Sequence, residues 1–275
     1  MVVFTDVSKE GVLRLIKKGF KKEAIKTIYE DVRLTKGKVT VILYTSGKLL
    51  LQGNPEEIKA ILPQLKKMKM GAEERMNTFR KENGVIIGSD ESLKGDTFGG
   101  MVVAAVKAND LQRQKLKEIG VMDSKLLNDV EILPMAEKIR STVECEVKSI
   151  LPIEYNAYIA QINQTELLNR MHEEVAQYLC QGKHVVDKYP GCDVGTVQVE
   201  KGEFKYVEIA AASVLARAAA LKQLDYLSVQ AGFTLPKGST HVKLALMELK
   251  HRGLEFNNFV KINFNNVVEF LKEEK

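Results

Sequence analysis

The sequence predicts an α/β fold: a mixed sheet flanked by helices, preceded by a small α+β unit. Three observations predict it. Two short runs, Val85–Ser89 and Phe98–Val106, are apolar on both faces, as central strands are. Further strand patterns alternate with helical ones toward the C-terminus. A charged stretch, Lys66 to Gly84, separates this alternation from a first part with its own hairpin.

In chain order, "KKEAIKTIYEDV" places Ile25, Ile28, Tyr29 and Val32 on one helical face and predicts a helix. "GKVTVILYTSGKLLLQG" predicts a hairpin. Val39, Val41 and Leu43 alternate with Thr40, Ile42 and Tyr44, and Ser46-Gly47 supplies the turn. "NPEEIKAILP" predicts a short helix capped by Asn54, with Pro55 at its first position, Glu56 and Glu57 in its first turn, and Pro63 past its end. The stretch from Lys66 to Gly84 lacks strand character and reads as a partly helical linker. The expected organisation is a domain over 1–68, a linker over 69–84 and a second domain over 85–275.

In the second domain, "STVECEVKSILPI" alternates Val143, Cys145 and Val147 with charged neighbours, which predicts an edge or half-covered strand. "LLNRMHEEVAQYLC" predicts a helix with Leu168, Met171, Val175 and Tyr178/Leu179 on one face. "KHVVDKYPG" predicts a strand ending at Asp187, stopped by Pro190-Gly191. "VEIAAASVLARAAALKQLDYL" predicts a small-residue helix able to lie close to a sheet. "THVKLALMELKHRG", closed by Gly253, and "NNVVEFLKEEK" predict two more helices.

Of the 275 residues, 45% are apolar and 28% charged, the balance of a soluble chain with a core. No apolar run approaches the roughly 18 residues of a membrane helix. Asp6, Lys9 and Glu10 come too early for a signal peptide, so a cytoplasmic protein is expected. The three cysteines, Cys145, Cys180 and Cys192, form no Cys-x-x-Cys pair, which argues against both a disulfide framework and a zinc site. Residues 1–82 carry 18 basic and 10 acidic side chains, a net of +8, and the remainder carries 23 and 26, a net of −3. A basic first part suits a polyanion, and an acidic remainder suits metal ions. A merely solvated surface fits the same numbers.

Function in open sheets gathers at strand ends. Asp90 and Glu91 end one predicted strand, Asp187 ends another, and Glu203 precedes the small-residue helix. Converging carboxylates repel one another unless a cation holds them. Hard divalent ions prefer such oxygen ligands and, in pairs, run in-line phosphoryl displacement. Neighbours on a strand point to opposite faces, so Asp90 and Glu91 can share one site only if the strand ends or bends there. The turn Ser92–Gly95 can supply that break. His172 and His184 read as surface or core residues, and His241 and His251 as candidate phosphate contacts. There is no phosphate-binding Gly-x-x-x-x-Gly-Lys loop and no Ser-His-Asp arrangement.

"GSDESLKGDTFGG" resembles the Asp-Glu-Ser-Gly-Lys-Gly-Asp-x-Phe-Gly-Pro signature of ribonuclease HIII. "GVMDSKLLND", "HVVDKY" and "EKGEFKYVEIAAASVLARAAAL" resemble later segments of the same family in the same order, and "LPKGST" and "VKINF" are similar to its last elements. Lys94, Asp96, Phe98 and Glu203 match this type rather than its sister, ribonuclease HII. "VTVILYTSGKLLLQG" is similar to the TATA-binding-protein-like domain that precedes the catalytic domain in that family.

The resemblance implies a ribonuclease H-like catalytic fold and an endonuclease that cleaves the RNA strand of RNA–DNA hybrids, leaving 5′-phosphate and 3′-hydroxyl ends. It implies two divalent ions, Mg²⁺ or Mn²⁺, held by Asp90, Glu91 and Asp187, with Glu203 as the fourth catalytic acid. Ser92, Lys94 and Gly95 would contact the RNA strand, and Ser124 and Lys125 the nucleic-acid backbone. The partner is a hybrid duplex, no membrane is involved, and the chain is expected to be a monomer. Arg217 either contacts the backbone or pairs with an acid of its own domain. Asp96 either supports the acids or caps its turn. Three positions depart from the pattern: Leu93 replaces a glycine, Gly100 a proline and Asn263 a histidine. The alternatives are cleavage at single embedded ribonucleotides, as in ribonuclease HII, and a non-catalytic hybrid-binding protein.

Overall fold

The structure is a computed structural model that describes residues 2–5, 7–67, 72–73, 79, 83–121 and 127–273. The chain divides into two compact units, Met1–Met76 and Asn77–Lys275.

The first unit is a six-stranded antiparallel sheet covered on one face. Its strands are β1 (Val2–Thr5), β2 (Lys21–Glu23), β3 (Glu30–Lys36), β4 (Val39–Tyr44), β5 (Leu49–Gly53) and β6 (Ala72–Glu73), in the order β2-β3-β4-β5-β1-β6. Helices α1 (Lys9–Leu13) and α2 (Pro55–Lys67) supply the cover. Val32, Leu34, Val39, Val41, Leu43, Leu49 and Leu51 meet Val12, Ile58 and Leu65 in one apolar core. The predicted hairpin is β4–β5, with Val41 opposite Leu51 and Leu43 opposite Leu49. The Asn54 side chain caps α2 by accepting from Glu56 and Glu57 N–H at 2.9 and 3.2 Å.

Three sequence expectations fail here. The helix expected over 21–32 is instead β2, a turn and the start of β3. Ile25, Ile28 and Tyr29 are exposed in that turn, while Val32 and Leu34 alternate into the core. Glu30 fixes the turn, accepting from Lys26 N–H at 3.0 Å and from two Arg33 nitrogens at 3.0 and 2.8 Å. Pro63 lies inside α2 rather than beyond it. An interior proline costs about 3 kcal/mol, and continued burial of the helix's apolar face through Leu65 offsets that. The stretch read as strandless contributes β6, which pairs with β1 through Phe4↔Glu73 and Thr5↔Ala72. Two residues are too few to show a period.

The second unit holds β7 (Ile86–Ser92), β8 (Met101–Ala108), α3 (Asp110–Glu118), α4 (Asp129–Arg140), β9 (Glu144–Ile150), α5 (Pro152–Ile159), α6 (Gln164–Leu179), β10 (Lys183–Asp187), β11 (Val197–Val199), α7 (Val207–Ala231), α8 (Lys243–His251) and α9 (Asn265–Glu273). The sheet order is β11-β10-β7-β8-β9. β7 runs parallel to β10 and antiparallel to β8, so the sheet is mixed as expected, and β9 is its predicted edge strand. Val102, Ala104 and Val106 face α7, whereas Met101, Val103 and Ala105 face α6. Gly88 lets α7 lie against β7. A Cβ there would stand 2.5 Å from Ile209 N.

β7 continues through Asp90 and Glu91 to Ser92 rather than ending at Ser89. β8 begins at Met101, and Phe98 makes an isolated bridge to Val260. On α6, Leu168, Met171, Val175 and Leu179 are buried as predicted, but Tyr178 is exposed. Helices α3, α4 and α5 escaped the sequence reading. Two of them begin with Asn-x-x-Gln/Glu capping boxes, Asn109/Gln112 and Asn128/Glu131. None of the three cysteines is in a disulfide. No described helix is long and apolar enough to cross a membrane.

Candidate active site

The parallel pairing of β7 with β10 sets the site. Val185 pairs with Gly88 and Val186 with Ser89, so one further step brings Asp187 beside Asp90. Neighbouring strands lie about 4.8 Å apart. Both acids face α7. Asp90 is opposite Ala104, which packs on α7, and Asp187 shares the parity of Val185, which packs on Ile209. The Asp187 carboxylate accepts from Gly202 N–H at 2.8 Å, which draws the 3₁₀ turn Gly202–Phe204 onto the strand end. Glu203 sits in that turn, 5% exposed. Three acids from three separate segments thus gather at one end of the sheet.

Glu91 is on the other face. It stands opposite Val103, which packs on α6. One carboxylate oxygen takes the Lys94 ammonium at 3.1 Å, and the other lies 3.4 Å from His172 Nε2, within ion-pair range but without hydrogen-bond geometry. Burial alone would raise the Glu91 carboxyl, but the His172 ring and the Lys94 ammonium outweigh it and hold it below the usual range. The Asp90 carboxylate accepts from Glu91 N–H at 2.8 Å. The break in the strand that would let both acids share a site comes only after Ser92.

Among the described residues, no group of three or more His, Cys, Asp or Glu side chains stands where it could hold a metal ion. Strand alternation is one physical reason, because it sends Glu91 away from its neighbour. The donor chemistry, carboxylate oxygens alone, suits a hard divalent cation. Asp90 and Asp187 supply it on one face, with Glu203 alongside.

Ser92 ends β7 opposite Val102, Lys94 is half-buried and Gly95 is exposed. The Lys94 ammonium also lies 4.4 Å from the centre of the Tyr189 ring. Ser124 and Lys125 fall outside the described residues. The Asp96 carboxylate accepts from Gly238 N–H at 2.6 Å, which ties its turn to a segment distant in sequence rather than capping the turn itself. Arg217 pairs with an acid of its own unit, donating to Asp129 at 2.8 Å and to the Leu127 carbonyl at 3.0 Å. His241 and His251 are exposed.

Leu93 has φ +65°, a left-handed conformation that glycine adopts freely, and its side chain is 4% exposed in the core beneath the turn. Gly100 suits its place better than proline would. Its N–H donates to Gln223 Oε1 at 2.7 Å, and a Cβ would meet the Ile150 carbonyl oxygen at 2.1 Å. Asn263, at the third departure, is exposed.

Sequence reasoning missed what stands behind Glu91. Ser89 Oγ lies 2.8 Å from both His172 Nδ1 and His184 Nε2, a polar chain running from the half-buried His184 on β10 through β7 to the buried His172 on α6. Burial, with His172 adding to it, lowers His184 to about 4. The one available signal was position. Ser89 shares the strand parity of Glu91, and His172 lies on the same helical face as Leu168 and Val175.

A family model described as Ribonuclease HII matches residues 87–267. The chain is 35% identical over 202 residues to the ribonuclease HIII of Limosilactobacillus fermentum, covering 66% of this chain and 67% of that protein. It is 33% identical over 224 residues to the ribonuclease HIII of Mycoplasma pneumoniae, covering 68% and 95%. Among solved structures, Bst-RNase HIII in complex with Mn²⁺ aligns with a TM-score of 0.62 at 25% identity, over 100% of this chain and 99% of that one. Aquifex aeolicus RNase H3 aligns with a TM-score of 0.59 at 26% identity, over 96% and 100%. With the family model spanning residues 87–267 and the relatives above matching in sequence and in fold, the chain belongs to the ribonuclease HII family, among its ribonuclease HIII members.

Proposed function

We propose that this ribonuclease H hydrolyses the RNA strand of RNA–DNA hybrids endonucleolytically, leaving 5′-phosphate and 3′-hydroxyl ends. The observation that carries the reading is the register of parallel strands β7 and β10, which sets Asp90 and Asp187 one step past the pair Ser89 and Val186, with Glu203 buried in the turn that bonds to Asp187. Asp90 and Asp187 hold the divalent ions, Mg²⁺ or Mn²⁺, and Glu203 completes the acidic end. The Mn²⁺ complex of Bst-RNase HIII supports this choice of metal. Ions held there would supply activation of the attacking water and stabilisation of the leaving 3′-oxygen. The family resemblance assigns Glu91 to the ions as well, and in the present geometry its carboxylate also anchors Lys94. Ser92, Lys94 and Gly95 follow the RNA strand, where backbone approach at the exposed Gly95 reads the 2′-hydroxyl. Ser124 and Lys125 hold the nucleic-acid backbone. Residues 1–68, whose sheet also takes in β6 from the expected linker 69–84, bind the duplex, and 85–275 catalyse. The protein acts in the cytoplasm as a monomer.

Cleavage of a labelled hybrid across a metal series tests the reading. Asp90→Asn and Asp187→Asn are expected to lower the rate by at least about 100-fold while the protein stays folded. Full activity of either variant with Mg²⁺ or Mn²⁺ sinks the assignment. The match to the Ribonuclease HII model favours one second reading, cutting at single embedded ribonucleotides. A duplex holding one ribonucleotide separates the two.

A further inference from the structure

Two short segments, 235–240 and 259–264, converge on the turn that follows Glu91. Gly238 donates to the Asp96 carboxylate and accepts from Thr97 N–H at 3.0 Å. Lys261 N–H donates to the Thr97 carbonyl at 3.0 Å, and Gly99 N–H to the Phe259 carbonyl at 3.0 Å. The Lys261 side chain then enters the turn. It is 0% exposed, and its ammonium donates to three carbonyls: Leu93 at 2.7 Å, Asp96 at 2.6 Å and Gly99 at 3.1 Å. The rings of Tyr155 and Phe264 lie 5.3 and 5.1 Å from it.

An ammonium has three N–H donors, and here each has one acceptor. The three carbonyls come from both ends and the middle of one seven-residue turn, including the residue held at φ +65°. Burial lowers Lys261 to about 7 against the opposing pull of Asp96, so placing a lysine here has a cost. An apolar residue of similar volume fills a core without that cost. What the lysine does that a methionine cannot is fix three carbonyls at once.

We infer that Lys261 is a positioning residue for hybrid cleavage: its ammonium locks the Leu93–Gly99 turn so that Lys94 and Gly95 meet the RNA strand. The inference rests on the reading that this turn faces the substrate. Lys261 itself touches neither substrate nor metal.

The test uses the full chain with Lys261→Met and, as a graded second variant, Lys261→Gln. Lys261→Met is expected to lower kcat on the hybrid about 100-fold, the scale of a misplaced contact. KM should stay within about threefold, because the basic first unit supplies much of the affinity. Amide exchange at Asp96 and Gly99 should speed at least about tenfold, with β8 amides unchanged. Lys261→Gln should fall between wild type and Lys261→Met. A kcat within about threefold of wild type, or a loss of protection spread through β8, overturns the inference. Failure of both variants to fold overturns it too, since Lys261 would then serve the whole unit. A wild-type protein inactive on the hybrid would instead overturn the proposed function.

Discussion

At the scale of single residues, Leu93 shows how a departure from a family pattern is accommodated. A leucine at φ +65° carries about 1–2 kcal/mol of strain, and burying its side chain contributes about 1.5–3 kcal/mol. The chain trades glycine's freedom for a core contact against Phe98 and Leu224. The side chain lies beneath the turn rather than toward solvent. Leu93→Gly is therefore expected to destabilise by about 1–3 kcal/mol, lost burial outweighing relieved strain, and to leave ribonucleotide preference unchanged. Denaturant unfolding measures the first, and cleavage of duplexes with and without the 2′-hydroxyl measures the second. A changed preference would place position 93 at the substrate after all. Asp90, Glu91 and Lys94 were legible because the motif "SDESLKGD" is contiguous. His172 and Lys261 were not, because the residues they serve lie 81 and 168 positions away in sequence.

At the scale of elements, strand β3 and the turn before it hold a separable test. The Arg33 guanidinium and the Lys26 N–H hold the Glu30 carboxyl at about 2, below its ordinary 4.5. A group whose folded value is depressed contributes stability that is fully present above its unfolded value and is lost as pH falls. The contribution should therefore be complete above about pH 4.5 and gone near pH 2. Glu30→Gln is expected to flatten the acid limb of stability between those values, as followed by unfolding of the first unit against pH. An unaltered acid limb would show that the pair has no net effect. The same segment explains the largest error of the sequence reading. Ile25, Ile28, Tyr29 and Val32 fit a helical period, yet Val32, Leu34 and their partners on β4 bury more as a sheet. The Glu30–Arg33 pair that stabilises the turn carries no periodic signal.

At the scale of the whole molecule, charge and chemistry are divided between the units. Met1–Met76 carries +7 and Asn77–Lys275 carries −2, while the family match lies wholly within the second unit. Binding of a duplex by basic side chains releases counterions, so affinity falls with salt in proportion to the phosphates contacted. Removing residues 1 to about 70 is expected to raise KM for the hybrid about tenfold or more at moderate salt, to leave kcat within about threefold, and to reduce the salt slope of binding. Cleavage kinetics across a salt series checks this. An unchanged KM would end the case for a binding role.

The sequence by itself determined the class of the fold, the central strands, the small-residue helix and the identity of the candidate acids. Each of these is written locally, in periodicity, capping residues or a contiguous motif. It also stated the condition on which Asp90 and Glu91 could share a site. Only the tertiary structure decided that condition. β7 holds its pairing through Ser92, so alternation puts Asp90 with Asp187 on the α7 face and Glu91 with His172 on the α6 face. Strand register and the reach of a buried lysine across the chain are set by pairing between distant segments. Such pairing is a property of the packed sheet, and no stretch of the sequence carries it alone.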